Sequence, residues 1–297
     1  MKWEGRRQST NVEDRRGRSV SRGVKVGGGI SGMGIIAAII VVLLGGDPMQ
    51  VVGQVIGQLL GGGLENSGGA ETVQRAPVSN PADDRQGAFV KTVLADTETT
   101  WNALFQQYGS QYREPTLVLY RDSTMSECGH GSAASGPFYC PVDSKLYLDL
   151  SFFNQLARMG APGDFAQAYV IGHEVAHHIQ NLTGVLQKVR TRQTRVAQVQ
   201  SNALQVLVEL QADCYAGVWA HHAERSRDLL EQGDVEEGLR AAASIGDDTL
   251  QRNAGRRVRP ESFTHGTSEQ RMRWFNAGIR SGDVGRCDTF AEAGVRL

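Results

Sequence analysis

Two histidines and a glutamate lie close together in the stretch His173-Glu174-Val175-Ala176-His177, which matches the pattern HExxH. On a helix, residues four positions apart lie on one face, a turn apart, so both imidazoles can bind the same metal ion. Glu174 lies beside them, where it can take a proton from a zinc-activated water. The pattern therefore predicts two zinc ligands, His173 and His177, and a general base, Glu174.

A catalytic zinc site needs three protein ligands and an open position. The extended pattern HExxHxxGxxH would supply a third histidine, but this chain has Gln180 and Thr183 where the glycine and that histidine would stand. Further along, Glu209 and Asp213 are one helical turn apart in an apolar stretch. We expect Glu209 to be the third ligand and Asp213 to accept a hydrogen bond from a ligating histidine. The alternative is that both acids lie on a solvated helix face.

The succession of HExxH and ExxxD on two helices resembles the gluzincin pattern of zinc metallopeptidases. Four stretches and a single hydrophobic segment are, more narrowly, similar to the bacterial family of putative neutral zinc metallopeptidases. These stretches are Met1–Arg7, Asn11–Gly17, Gly172–His178 and Glu209–Cys214. The resemblance extends over nearly the whole chain and implies a single-pass membrane protein with an extracytoplasmic zincin-like domain. It supplies no substrate.

A segment near the C-terminus is a further candidate for catalysis. Thr264–Arg271 resembles the His…Arg segment that follows the third ligand in related membrane metallopeptidases, so His265 or Arg271 could stabilise the developing oxyanion. The alternative is a helix N-cap near Thr267, and both interpretations can hold together. Tyr215 is a weaker oxyanion candidate. Three other histidines are expected at the surface: His178, His221 and His222.

The N-terminal region combines a basic stretch with an apolar one. Residues 1–29 contain eight Lys and Arg against three acids, and the 21 uncharged residues Val26–Gly46 can span the ~30 Å hydrocarbon core of a membrane. The positive-inside rule would keep the basic stretch in the cytoplasm and place the rest of the chain outside. A buried core helix or a signal peptide would look similar. The predicted units are a basic arm at 1–25, a transmembrane helix at 26–46, a Gly/Pro-rich linker at 47–85 and a zinc metallopeptidase domain at 86–297.

The domain combines a few strands with many helices. Apolar residues at three- and four-residue spacing from Phe89 to Tyr108 predict an amphipathic helix, and Thr116–Tyr120 predicts a buried strand. Phe138–Cys140 and Leu146–Leu150 predict a hairpin. Helical patterns dominate the remainder. The expected fold is therefore α+β, with a small antiparallel-edged sheet and a mainly helical remainder, preceded by one transmembrane helix.

Four cysteines follow the apolar segment, as expected for two disulfides in an oxidising compartment. Proximity in sequence favours Cys128 with Cys140 and Cys214 with Cys287, although three pairings are possible. The alternative is four buried thiols. They are poor zinc ligands because the chain has no CxxC.

Together these predictions describe a membrane-anchored zinc endopeptidase with one Zn²⁺ per chain. It would lie in the bacterial inner membrane with its N-terminus in the cytoplasm and its catalytic domain in the periplasm. The expected partners are a protein or peptide substrate and, through the anchor, membrane lipid. A net charge of −1 gives no reason to expect nucleic acid. The substrate strand would add to a sheet edge at Phe138–Cys140 or Leu146–Leu150.

Two other functions stay open. In one, the same ligands hold a zinc ion that stabilises a non-hydrolytic envelope module, which binds a protein partner while its open zinc position is blocked. Glu174 would serve no structural purpose in such a site. In the other, the chain is a cytosolic thiol protein whose apolar segment is not inserted in a membrane.

Overall fold

A computed structural model describes residues 1–17, 81–133 and 136–297. The strands of this part of the chain are β1 (Val12–Asp14), β2 (Thr116–Tyr120), β3 (Ser123–Ser126), β4 (Gly129–Ser132), β5 (Phe138–Cys140) and β6 (Lys145–Asp149). The helices are α1 (Pro81–Gln107), α2 (Phe152–Arg158), α3 (Asp164–Leu182), α4 (Val185–Gln193), α5 (Gln198–Arg227), α6 (Asp234–Ser244), α7 (Asp247–Asn253), α8 (Ser268–Ser281) and α9 (Thr289–Glu292). Two 3₁₀ turns, Pro260–Ser262 and Val284–Cys287, flank α8.

The predicted transmembrane helix at 26–46 lies outside the described residues, as does most of the predicted linker. No helix in the described part of the chain is long and apolar enough to cross a membrane. The amphipathic helix predicted from Phe89 is confirmed as α1, but it begins earlier, at Pro81. Proline suits the first turn of a helix because its missing N–H would have no partner there.

A four-stranded sheet has the order β1-β2-β6-β5, with β1, β2 and β6 parallel and β5 antiparallel to β6. Leu117 and Leu119 of β2 lie opposite Leu146 and Leu148 of β6, and these four side chains join the main core beneath the helices. The opposite face packs a smaller cluster that includes Tyr147. This arrangement confirms the predicted α+β class and the antiparallel hairpin.

Residues 1–17 are part of the folded domain, which corrects the prediction of a separate basic arm. Strand β1 pairs in parallel with β2. Glu98 of α1 is almost completely buried, and it accepts hydrogen bonds from Ser9, Asn11 and Arg7. A buried carboxylate needs such partners, so these residues are required by the core of the domain.

Charged residues of the N-terminal stretch also have partners within the fold. Arg7 pairs with Glu98 of α1, and Arg15 pairs with Glu13 of β1. Strands β1 and β2 share backbone hydrogen bonds in one sheet, so residues 1–17 pack in the same domain as β2. The predicted membrane topology stays a prediction.

Both predicted disulfides are confirmed. Cys128 is bonded to Cys140, and Cys214 is bonded to Cys287. The first joins the β3–β4 hairpin to the edge strand β5, and the second joins α5 to the 3₁₀ turn after α8. The alternative of four free thiols does not hold in this structure.

Two glycines let the helices that surround the candidate site approach closely. A Cβ atom on Gly278 of α8 would lie 1.9 Å from the carbonyl oxygen of Cys214 on α5, and one on Gly217 of α5 would lie 2.2 Å from that of Phe275. Any side chain at either position would push the two helices apart. The close contact holds the later turns of α8 against the second half of α5.

Candidate metal centre

Three donor atoms converge between α3 and α5. His173 and His177 lie one turn apart on α3, and Glu209 faces them from α5. Glu209 Oε2 lies 3.2 Å from His173 Nε2 and 3.7 Å from His177 Nε2. Tetrahedral zinc with bonds of about 2.1 Å would separate its donor atoms by about 3.4 Å. The spacing and the two-histidine, one-carboxylate donor set therefore fit a zinc ion, and the structure brings together the three ligands predicted from the sequence.

The electrostatics of this group suit a cation. Burial by itself would raise the pKa of Glu209, but the neighbouring His177 and His173 outweigh it and hold the pKa well below its usual range. Burial opposes charging of His173, yet its hydrogen bond to Asp213 raises the pKa to about 9. The carboxylate of Glu209 is thus kept ionised, as a metal ligand must be.

Glu174 lies beside the donor atoms and lines the same cavity. Its side chain is buried, and burial raises the pKa of its carboxyl group. No group in residues 1–17, 81–133 or 136–297 forms a hydrogen bond with that carboxyl group. Phe152, Met159 and Val170 supply apolar walls to the cavity. The carboxylate therefore has no structural partner and is free to exchange a proton.

On the side of its ring away from Glu209, His173 contacts a buried cluster formed by Asp213, Arg271 and Tyr169. Its Nδ1 lies 2.9 Å from Asp213 Oδ1. Arg271 of α8 donates to both oxygens of Asp213, from Nε to Oδ2 and from Nη2 to Oδ1, at 2.9 Å each, and the Tyr169 hydroxyl also donates to Oδ1. Asp213 is fully buried, so the alternative of a solvated acid pair with Glu209 does not hold. Spacing on α5 predicted the Asp213 contact, but nothing local indicates Tyr169.

Arg271 lies behind His173, paired with Asp213, and also lines the cavity, so its alternative role as an oxyanion donor stays a prediction. His265 does line the cavity, and its buried Nε2 has no hydrogen-bond partner among the described residues. On its other side, His265 Nδ1 lies 3.2 Å from Asp247 Oδ1. The predicted cap also exists, since Thr267 forms a capping box with Gln270. The cap interpretation is thus confirmed, and the catalytic role of His265 stays a prediction.

Asp247 is a residue that the sequence analysis missed. Its Oδ2 accepts the backbone N–H groups of Thr264, His265 and Gly266, at 2.6 to 3.1 Å. The carboxylate thereby holds the loop that carries His265. The one local signal is that an acid stands at the start of α7, which by itself indicates only a favourable interaction with the helix dipole.

The structure places several other candidates away from the donor atoms. Tyr215 packs edge-on against Trp101 and does not line the cavity. His178 is buried, which corrects its predicted surface position, because Tyr139 and the backbone of Arg113 cover it. His221 and His222 are partly exposed and bonded to backbone carbonyls.

The two strands predicted as candidate edges for a substrate strand occupy different positions in the sheet. Strand β6 is paired on both sides, with β2 and with β5, so Leu146–Leu150 is not at an edge and that alternative is corrected. Strand β5, Phe138–Cys140, is the last strand of the sheet and lies beside α3, where the Tyr139 hydroxyl accepts a hydrogen bond from Asn181. It stays the candidate edge.

Comparisons with known proteins agree with this arrangement. A family model described as "Putative neutral zinc metallopeptidase" matches residues 1–290. Among curated relatives, the uncharacterized protein YpfJ of Escherichia coli K12 is 45% identical over 99% of this chain and 100% of its own length. The uncharacterized protein Rv2575 of Mycobacterium tuberculosis H37Rv is 37% identical over 73% of this chain and 78% of its own. No solved structure gives a significant match.

Proposed function

Since the chain belongs to the family of putative neutral zinc metallopeptidases, we propose that it is a zinc-dependent endopeptidase, which hydrolyses peptide bonds within proteins. The observation that carries this proposal is the convergence of His173, His177 and Glu209, with the unbonded carboxylate of Glu174 beside them. A zinc ion that only stabilised a binding module would need the three ligands but no buried, unpartnered acid. Glu174 is therefore the reason to prefer hydrolysis over that alternative.

When bound by these ligands, zinc would polarise the scissile carbonyl and lower the pKa of water. Glu174 would take the proton from the attacking water and pass it to the departing amine. Burial raises its pKa, which makes the carboxylate a stronger base than one in solvent. The apolar cavity walls exclude water and strengthen these electrostatic interactions.

His265 is the proposed donor to the oxyanion. Its Nδ1 lies against Asp247 Oδ1, and its otherwise unpartnered Nε2 would donate into the cavity. Asp247 holds the ring in this orientation. Its proposed role is to position His265, and His265 is the group that would touch the reacting atoms.

We predict that His265→Gln lowers kcat for peptide cleavage about 10²- to 10³-fold while zinc content is unchanged. His265 is not among the three ligands, so its loss should remove stabilisation of the transition state only. His222→Gln is the matched control, because His222 bonds a carbonyl on the surface. Equal kcat in the His265 variant and the control would rule out this role.

We also propose that the domain acts outside the cytoplasm, at the periplasmic face of the inner membrane. The support is chemical, since two disulfides are stable in an oxidising compartment. The apolar segment 26–46 stays the candidate for membrane attachment. When cells are quenched in acid and then alkylated in denaturant without reductant, no free thiols should be trapped on this chain. Four reactive thiols would contradict the exported location.

The function is tested with the full chain, because residues 1–17 belong to the domain. We expect about one zinc per chain by elemental analysis, and no zinc in the His173→Ala variant. Unfolded casein should be cleaved, chelation should stop the cleavage, and added zinc should restore it. A folded chain that binds no zinc would overturn the proposal. Zinc binding without cleavage would favour the non-hydrolytic module.

A further inference from the structure

The Nδ1 atoms of the two ligand histidines have different partners. Nδ1 of His177 faces a side-chain amide, whereas Nδ1 of His173 faces a carboxylate. His177 Nδ1 lies 2.8 Å from Oε1 of Gln180, on the next turn of α3. Gln180 is completely buried, and its Nε2 donates to the carbonyl oxygen of Val208 at 2.8 Å and to Oε1 of Gln211 at 3.1 Å. Nε2 of Gln211 in turn donates to the carbonyl oxygen of Cys287 at 3.1 Å.

The two backbone carbonyls determine the direction of every hydrogen bond in this series. A carbonyl oxygen can only accept, so the NH₂ group of Gln180 must face Val208 and that of Gln211 must face Cys287. The amide oxygen of Gln180 then faces His177 and can also only accept. His177 must therefore donate from Nδ1, so the neutral ring carries its lone pair on Nε2, the nitrogen that faces Glu209.

We propose that Gln180 and Gln211 form an amide relay that positions His177 as a metal ligand. The relay fixes both the tautomer and the orientation of the ring. It rests on the proposed function, because it assigns these two glutamines a role in the same zinc site.

The far end of the relay is fixed to the helix that carries Glu209. Cys287 is joined by its disulfide to Cys214 of α5, and the Thr289 hydroxyl donates to the carbonyl oxygen of Leu207. Gln211 lies two positions after Glu209 on the same helix. The relay thus connects the ligand on α3 to the ligand on α5 through buried, hydrogen-bonded groups.

A neutral partner at this position also suits the charge of the site. Two neutral histidines and one carboxylate leave a bound zinc ion with a net positive charge, and Arg271 already neutralises Asp213 behind His173. A second acid behind His177 would remove that remaining charge, which serves to attract a substrate carbonyl. An amide orients the ring without that effect.

The test is the zinc affinity of the full chain, measured by competition with a chelator. Gln180→Met keeps the length of the side chain and removes both amide groups, so we expect zinc to bind about 10- to 100-fold more weakly. The Nδ1 proton of His177, slow to exchange in the zinc-loaded unaltered chain, should exchange rapidly in the variant. Gln211→Met should have a smaller effect on zinc affinity. In that variant His177 keeps its hydrogen bond to Gln180, and Gln180 keeps its hydrogen bond to the carbonyl of Val208.

Gln193→Met is the matched control, since it removes an amide hydrogen bond to the carbonyl of Ser201 on α5 without touching a zinc ligand. Unchanged affinity in this control beside weaker binding in both relay variants supports the proposal. If the unaltered chain and Gln180→Met bind zinc equally tightly, the relay is overturned and the proposed function stands. If the unaltered chain binds no zinc, both fail.

Discussion

Replacing Glu174 by glutamine should leave the zinc content at its original level and lower kcat for casein cleavage by at least about 10²- to 10⁴-fold. Glutamine has nearly the same size, and Glu174 is not one of the three converging ligands. The amide cannot take a proton from water, so the step that depends on the carboxylate is lost. Elemental analysis and a peptide-release assay on the same preparation measure the two effects.

The control for this variant is Glu269→Gln, which makes the same chemical change at an exposed position of α8. It should cleave casein at the original rate. Cleavage retained in Glu174→Gln would exclude Glu174 as the base. Loss of zinc together with activity would show instead that Glu174 helps to build the metal centre.

Replacing Arg271 by methionine should destabilise the fold by about 3–5 kcal/mol. Arg271 is 1% exposed and supplies two of the hydrogen bonds to the fully buried Asp213. Methionine fills most of the space but removes the guanidinium partner of the buried carboxylate, and breaking a buried ion pair from one side costs more than the pair itself contributes. Urea unfolding of the metal-free chain measures the change in the free energy of unfolding.

Arg273→Met is the control on the same helix, because Arg273 pairs with Glu292 at the surface, where an ion pair contributes about 0–1 kcal/mol. In the double variant Arg271→Met/Asp213→Asn, the buried charge is absent and part of the lost stability should return. Equal free energies of unfolding for Arg271→Met and Arg273→Met would contradict the importance of this ion pair.

Predictions from the sequence worked where the relevant geometry is local. The spacing of His173 and His177, and of Glu209 and Asp213, places each pair on one helix face whatever the rest of the chain does. The apolar run Thr116–Tyr120 likewise predicted a buried strand, and it forms β2. These patterns predicted the ligand group and the class of chemistry before any contact between elements was known.

The same local rules failed where a residue is covered by another element. The helical position of His178 indicated the surface, yet Tyr139 and the Arg113 carbonyl lie over it. Asp247 and Gln211 carry no local signal of their roles, because each acts on a residue outside its own helix. Position on a helix determines a face, but not what packs against that face.

The N-terminal stretch is the clearest case in which sequence patterns did not predict contacts between distant residues. Its composition indicated a basic arm apart from the domain, because a count of charges does not reveal partners that are distant in sequence. Arg7 binds Glu98, 91 residues away, and β1 completes the sheet of the domain. The sequence by itself determined the chemistry of the ligands and the helix faces that carry them, since both follow from residue type and spacing. Only the tertiary structure decided which faces meet, because that depends on close packing such as the contact of Gly278 with α5.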